Sequence, residues 1–202
     1  MQQNLHIPYK GSRTYLHGTS FFDEVERVNI EMNFFPNLFL EKMIFRRFSS
    51  NQCILSLKNP IDFSVVVAQG CYSSLDRSVK EEFWILEGMS KTTERIPYDE
   101  DCLLAGAAIC LDSKSIHRHG LVNSGTTIEE IVAFTKYLHN AVAAPIVGKW
   151  LFAQIELNQK LPEIFKSIEI RLAKMIANKF STSLVFLDGI NVGSIRFIIG
   201  GL

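Results

Sequence analysis

The sequence has no excess charge of either sign: Lys plus Arg and Asp plus Glu number 21 each in 202 residues. Binding a chain of phosphates requires a concentrated positive field, so this balance argues against a nucleic-acid or anionic-membrane partner. No stretch reaches the run of about 18 apolar residues that could cross a bilayer. Met1–Lys10 lacks the pattern of a secretory leader, so no membrane insertion and a reducing cytoplasm are expected. The four cysteines, Cys53, Cys71, Cys102 and Cys110, form no C-x-x-C pair. Each sits in an apolar, strand-like run, where a reduced thiol acts as a small hydrophobe, so inert core thiols are expected. Neither G-x-G-x-x-G nor G-x-x-x-x-G-K-[ST] occurs, which removes the common nucleotide phosphate loops. The G-x-S-x-G elbow of serine hydrolases is also missing.

What the sequence does have is core material: 47% hydrophobic residues, with fifteen Phe. Its most legible stretch is Thr126–Val142, where Ile128, Ile131, Val132, Leu138 and Val142 recur at helical spacing. Thr126 and Glu129 form the T-x-x-E pattern of a capping box and fix its start. After it, period-two alternation predicts strands. Leu151, Ala153, Ile155 and Leu157 are expected to face inward in the first, Ile168, Ile170 and Leu172 in the second, and Ile195, Phe197 and Ile199 in the last.

Earlier in the chain, Thr19 or Ser20 is placed to cap a helix that buries Phe21, Phe22, Val25 and Val28, with Asp23 and Glu24 in its first turn. Strand-like runs follow at 38–48, 53–57, 63–71 and 83–87. The polar stretch Ser90–Asp101 reads as a junction, Leu103–Leu111 as a small-residue strand, and Asp112–Gly125 as a loop. His17-Gly18 and His119-Gly120 each lead into a Thr-capped helix followed by strands. This faint echo divides the chain into 1–98 and 99–202, two units of similar order.

Leu16-His17-Gly18-Thr19-Ser20-Phe21-Phe22-Asp23-Glu24 resembles the His-Gly-Gly opening of the central helix in hot-dog-fold acyl-CoA thioesterases, with Thr19 in place of the second Gly. The stretches Lys160–Arg171 and Asn178–Ser181 are similar to the long strands of that fold, and Asp188-Gly189 with Ile195–Ile199 to its closing hairpin. The resemblance implies an α+β protein of two hot-dog-like units, each a long antiparallel sheet wrapped around a central helix. It is similar to the double arrangement of dehydratases and gamma-butyrolactone synthases. It further implies hydrolysis, dehydration or condensation of an acyl group on CoA or acyl carrier protein, in lipid, polyketide or signal-molecule metabolism, without a cofactor. A non-catalytic acyl- or partner-binding domain of the same fold is the alternative, and a homodimer is compatible with either.

On that resemblance His17, Asp23 and Glu24 are the candidate catalytic groups: His17 as base or substrate-orienting group, one of the carboxylates as acid/base. Gly18, Thr19, Arg13, Arg118 and His119 are the candidate substrate contacts, with the Gly18 and Thr19 N–H groups facing the thioester carbonyl. The bland reading has His17 packed beside Tyr15 and the two acids merely complementing the helix dipole. His117-Arg118-His119 carries no converging fourth ligand, so no metal is expected; a solvated loop is its alternative. Trp84 and Trp150 read as core or interface residues.

Overall fold

Thr126 caps its helix as the T-x-x-E spacing predicts. Its side chain accepts from the Glu129 N–H, and the Glu129 carboxylate accepts from the Thr126 N–H at 2.9 Å. In this computed structural model, which describes residues 1–120, 125–143 and 147–200, the chain divides into two compact units, Met1–Tyr98 and Asp99–Leu202. Residues 121–124 of the loop expected before the helix, and Gly201 and Leu202 of the expected second half, lie outside the described residues.

The first unit contains β1 (Gln2–Asn4), β2 (Tyr9–Lys10), α1 (Gly18–Met32), β3 (Phe39–Phe45), β4 (Asn51–Ser56), β5 (Val66–Ser73), β6 (Lys80–Lys91) and β7 (Arg95–Ile96). Five strands form an antiparallel sheet in the order β1-β4-β6-β5-β3. β2 and β7 pair separately and in parallel, setting Tyr9 beside Arg95 and Lys10 beside Ile96. α1 buries Phe21, Phe22, Val25 and Val28, the face expected from their spacing. Its start is earlier than the sequence reading: His17 is the N-cap, and the N–H groups of Ser20 and Phe21 both bond to the His17 carbonyl. Thr19 and Ser20 therefore lie inside the helix, and neither Asp23 nor Glu24 is in its first turn. The chain leaves α1 through Asn33, which adopts the left-handed conformation that short polar side chains tolerate.

The second unit contains α2 (Glu100–Leu103), β8 (Ala108–Cys110), β9 (Ser115–His119), α3 (Thr127–Val142), β10 (Lys149–Leu157), β11 (Ser167–Ile176), β12 (Phe180–Leu187) and β13 (Ile190–Gly200). Its strands are antiparallel in the order β10-β13-β12-β11-β9-β8. α3 lies against β9, β10 and β11 with Ile131, Phe134, Thr135, Leu138 and His139 fully buried. The helix is therefore wrapped in apolar contacts, and the Thr135 hydroxyl is satisfied by the Ile131 carbonyl at 2.7 Å. Removing the cap tests how far α3 depends on its own terminus. Thr126→Ala is expected to cost about 1 kcal/mol, read as a drop of about 3 °C in Tm.

Four local expectations need correction. The strand expected at Leu103–Leu111 is mostly a turn that follows α2: Asp99 caps α2, which ends at Leu103, and Gly106 at φ +74° turns the chain, leaving only Ala108–Cys110 extended. His117-Arg118-His119 is not in a loop but on β9, because β11 supplies a partner from fifty residues further along. Cys53 and Cys71 are buried as expected, but Cys102 and Cys110 are exposed, on polar α2 and the edge strand β8. In β10 a register shift between Phe152 and Gln154 inserts Ala153 as an extra residue. Such a bulge reverses the inward parity, so Trp150 is buried where Leu151 was expected, while Ile155 and Leu157 stay inside.

Candidate functional site

His17 stands at the N-cap of α1 without capping it: no side chain bonds the first-turn N–H groups from that position. The ring instead turns to Thr19, with Nδ1 at 2.8 Å from the hydroxyl oxygen. The same oxygen accepts a 2.8 Å hydrogen bond from the ammonium of Lys10. Lys10 is delivered by the β2–β7 pairing and is only 4% exposed, an unusual place for an ammonium. Its charge is met by polar groups and by the face of Tyr98, whose ring centroid is 5.3 Å away.

Tyr98 gathers the rest of the cluster. The Arg13 guanidinium lies 4.8 Å from its ring centroid, and the His17 ring is tilted against it at 5.7 Å. Arg13 is set there by a tight turn in which its N–H bonds the Lys10 carbonyl at 3.2 Å, with Gly11 at φ +57°. Arg95, stacked over Tyr9, donates to the carbonyls of Gly11 and Arg13 and fixes that turn from the other side. The expected neighbour of His17 was Tyr15; that ring packs against Phe48 instead, at 4.6 Å.

Of the residues expected to act together, Arg13, His17, Gly18 and Thr19 converge at the start of α1. Asp23 is half-buried and follows Thr19 by four residues, which puts it one turn along on the same helix face. Glu24 lies on another face and is 8% exposed. Its carboxylate accepts from the His6 N–H at 2.8 Å and holds Arg27 through Nε at 2.7 Å and Nη2 at 2.8 Å. Lys10 and Tyr98 were not anticipated. Their only sequence signal is the weak one of a basic and an aromatic residue in polar stretches, since β2 and β7 are joined by a contact spanning more than eighty residues.

Arg118 and His119 belong to the second unit, and strand alternation sends them to opposite faces of β9. Arg118 points inward, donating to the Leu103 carbonyl at 3.0 Å and pairing with Glu130 over the Phe134 ring. His119 is on the outer face with His117, their ring centroids 6.0 Å apart, beside Ser167 and Glu169 in a shallow concavity of about 320 Å³. Arg171 engages Glu169 there at 2.7 and 2.8 Å and holds its carboxyl below the usual range. Among the described residues no group of three or more His, Cys, Asp or Glu side chains could hold a metal ion. Nor is any helix among them long and apolar enough to cross a membrane.

A buried imidazole also escaped the sequence reading. His139, in the last turn of α3, is fully buried between Trp150 and Phe197, with Nε2 3.3 Å from the Ser183 hydroxyl. Its place one residue after Leu138 and four after Thr135, on the buried stripe, was the available signal.

No protein-family description matches the sequence, and no curated protein does. Among solved structures, the chain is similar to the dehydratase domain of PpsC from Mycobacterium tuberculosis, solved in complex with C12:1-CoA. The TM-score is 0.48 and the identity 10%, over 98% of this chain and 92% of that one. It is similar to the bifunctional dehydratase-cyclase domain of ambruticin biosynthesis at TM-score 0.46 and 9% identity, over 93% and 83% of the two chains. A tesB protein of Mycobacterium avium subs paratuberculosis follows at TM-score 0.45 and 8% identity, over 91% and 86%. The matched thioesterases and dehydratases are hot-dog proteins.

Proposed function

We propose that this chain binds an acyl thioester, carried on CoA or an acyl carrier protein, at the first turn of α1 and processes it there. The observation that carries this reading is the contrast between the two long helices. α3 closes its own N-terminus with a capping box, whereas α1 begins with His17 turned away from its amides and toward Thr19. First-turn N–H groups without a side-chain cap, aided by the helix dipole, attract the oxygen of a polarised carbonyl. Gly18 and Thr19 supply those groups, and His17 flanks them.

As a thioester carbonyl is attacked, or as the adjacent carbon loses a proton, negative charge builds on the carbonyl oxygen. Donors fixed before the reaction stabilise that charge without reorganising. Asp23, one turn beyond Thr19, is the carboxylate assigned to proton transfer, and Arg13 the cation assigned to the carrier. Hydrolysis, dehydration and condensation all draw on the same polarised carbonyl. Glu24 of the expected pair is committed to Arg27 and the His6 N–H. That favours, as the second reading, an acyl-binding domain without turnover.

A series of acyl-CoA thioesters from acetyl to dodecanoyl, with free CoA as control, separates these readings. A ligand at a hundred times its Kd stabilises the fold by about 2.7 kcal/mol, so a bound acyl-CoA is expected to raise Tm by roughly 5–10 °C. Mass analysis of the same mixtures reports turnover. His17→Ala and Asp23→Asn are expected to abolish turnover; turnover unaltered in both variants would end the catalytic reading. No Tm rise with any acyl-CoA, or an equal rise with free CoA, would end the binding reading.

A further inference from the structure

The geometry points to a metal site in the second unit. His117 and His119, on the outer face of β9, form a two-imidazole chelate for a divalent transition metal ion such as Ni²⁺, Cu²⁺ or Zn²⁺. Glu169 is a third ligand that Arg171 withholds. The site does not depend on the acyl-thioester reading.

The pairing of β9 with β11 creates the arrangement. In a loop the two histidines of an H-x-H sequence have no fixed relation, whereas on a strand residues two apart share a face. Arg118 between them turns inward to Leu103 and Glu130, which leaves both imidazoles outside. His119 is exposed and His117 half-buried. Ala108, the partner of His117 on β8, is too small to cover it.

The spacing of the rings suits a shared ion. A metal–nitrogen bond of about 2.1 Å sets each ring centroid about 3.2 Å from the metal. Two imidazoles on one ion therefore have centroids about 4.5 Å apart at right angles and about 6.4 Å apart in opposition. The observed 6.0 Å falls inside that interval. No hydrogen bond of either ring occurs among the described residues. The second side-chain torsion of histidine turns over a broad range, so a nitrogen of each ring can be brought to a common point. Imidazole is a ligand for the later first-row ions, and water fills the remaining positions.

Glu169 is the cross-strand partner of His117, at the separation where opposed side chains interact. Arg171 occupies both of its oxygens, at 2.7 and 2.8 Å. Arg171 first, and then His117 and His119, hold this carboxyl below its usual range, so the imidazoles already act on it. With the carboxylate taken, the chelate has two protein ligands, in agreement with the lack of any three-ligand group among the described residues. Removing the guanidinium releases a ligand and leaves a negative charge beside the rings. Both changes favour a cation.

The test is calorimetric titration of NiCl₂ into the full chain, prepared without a histidine tag and held at pH 8, where imidazole is unprotonated and able to ligate. Saturation at one ion per chain is expected. His117→Ala and His119→Ala are each expected to weaken binding about tenfold or more, with His6→Ala unchanged. Arg171→Leu is expected to tighten binding about tenfold, and Glu169→Gln in that background to return it to the value of the unaltered chain. A rise in Tm with Ni²⁺, lost in His119→Ala, reads the same site by stability. Near-ultraviolet circular dichroism checks the fold of His117→Ala, and the exposed His119 carries the test if that variant does not fold. No saturable binding, or binding of the same strength in His119→Ala, would overturn the site. Binding in Arg171→Leu no tighter than in the unaltered chain would overturn the role given to Glu169.

Discussion

Arg118→Ala is expected to destabilise the protein by about 3–5 kcal/mol, because it strands a buried carboxylate. The side chains of Arg118 and Glu130 are 2% and 3% exposed, and the guanidinium also satisfies the Leu103 carbonyl. Burial already pushes the Glu130 carboxyl up from its ordinary range, and Arg118 is the group that pulls it back. Without Arg118, β9 and the first turns of α3 enclose an unpaired acid that can be relieved only by taking a proton or by opening the unit. Replacing both partners by apolar residues of similar volume avoids that penalty, since the pair's own desolvation cost is then also absent. Arg118→Met with Glu130→Leu should therefore recover most of the loss. Chemical denaturation of the single and double variants measures both quantities. A single-variant loss under about 1 kcal/mol would mean that the pair is as weak as an exposed one.

Acid should expose the second buried group. His139 is enclosed by Trp150, Phe197 and Ser183, and desolvation lowers its pKa from 6.5 to about 4. Its folded-state value is depressed, so below pH 6.5 the unfolded chain takes up a proton that the folded chain refuses. Stability from this group is thus complete above pH 6.5, falls as the pH is lowered, and is exhausted near pH 4. The full difference corresponds to about 3 kcal/mol, from 1.36 kcal/mol per pKa unit. Unfolding free energies measured at pH 7, 5.5 and 4.5 should decline by that order, and His139→Met should flatten most of the decline. An equally steep decline in that variant would assign the acid sensitivity to other groups.

The parts of the fold legible in the sequence were those set by local chemistry. The capping box at Thr126 and Glu129 and the apolar stripe of α3 need only neighbours within one or two turns. The same holds for the β12–β13 hairpin, where Asp188 at φ +50° and Gly189 at φ +78° form the two-residue turn. What escaped was decided at a distance. β9 is extended because β11 pairs with it, and the parity of β10 turns on a bulge at Ala153 that no alternation of residues announces. The start of α1 was misplaced because Thr19 looks like a cap, whereas its hydroxyl is taken by Lys10 and His17.

The site divides in the same way. His17, Gly18, Thr19 and Asp23 fall in one short stretch and could be singled out together. Lys10 and Tyr98 join them only through the pairing of β2 with β7, which has no local signature. Two carboxylates adjacent in sequence look equivalent, yet 100° of helix rotation gives Glu24 to His6 and Arg27 and leaves Asp23 on the Thr19 face.

The first turn of α1 is the proposed place where a thioester carbonyl is held. Backbone ¹H–¹⁵N spectra of the full chain, titrated with dodecanoyl-CoA, test it at the atoms concerned. Saturable shifts of the Gly18 and Thr19 amides, reduced by His17→Ala, are the predicted result. Saturable shifts confined to residues away from Arg13–Asp23, with the Gly18 and Thr19 amides unmoved, would contradict it.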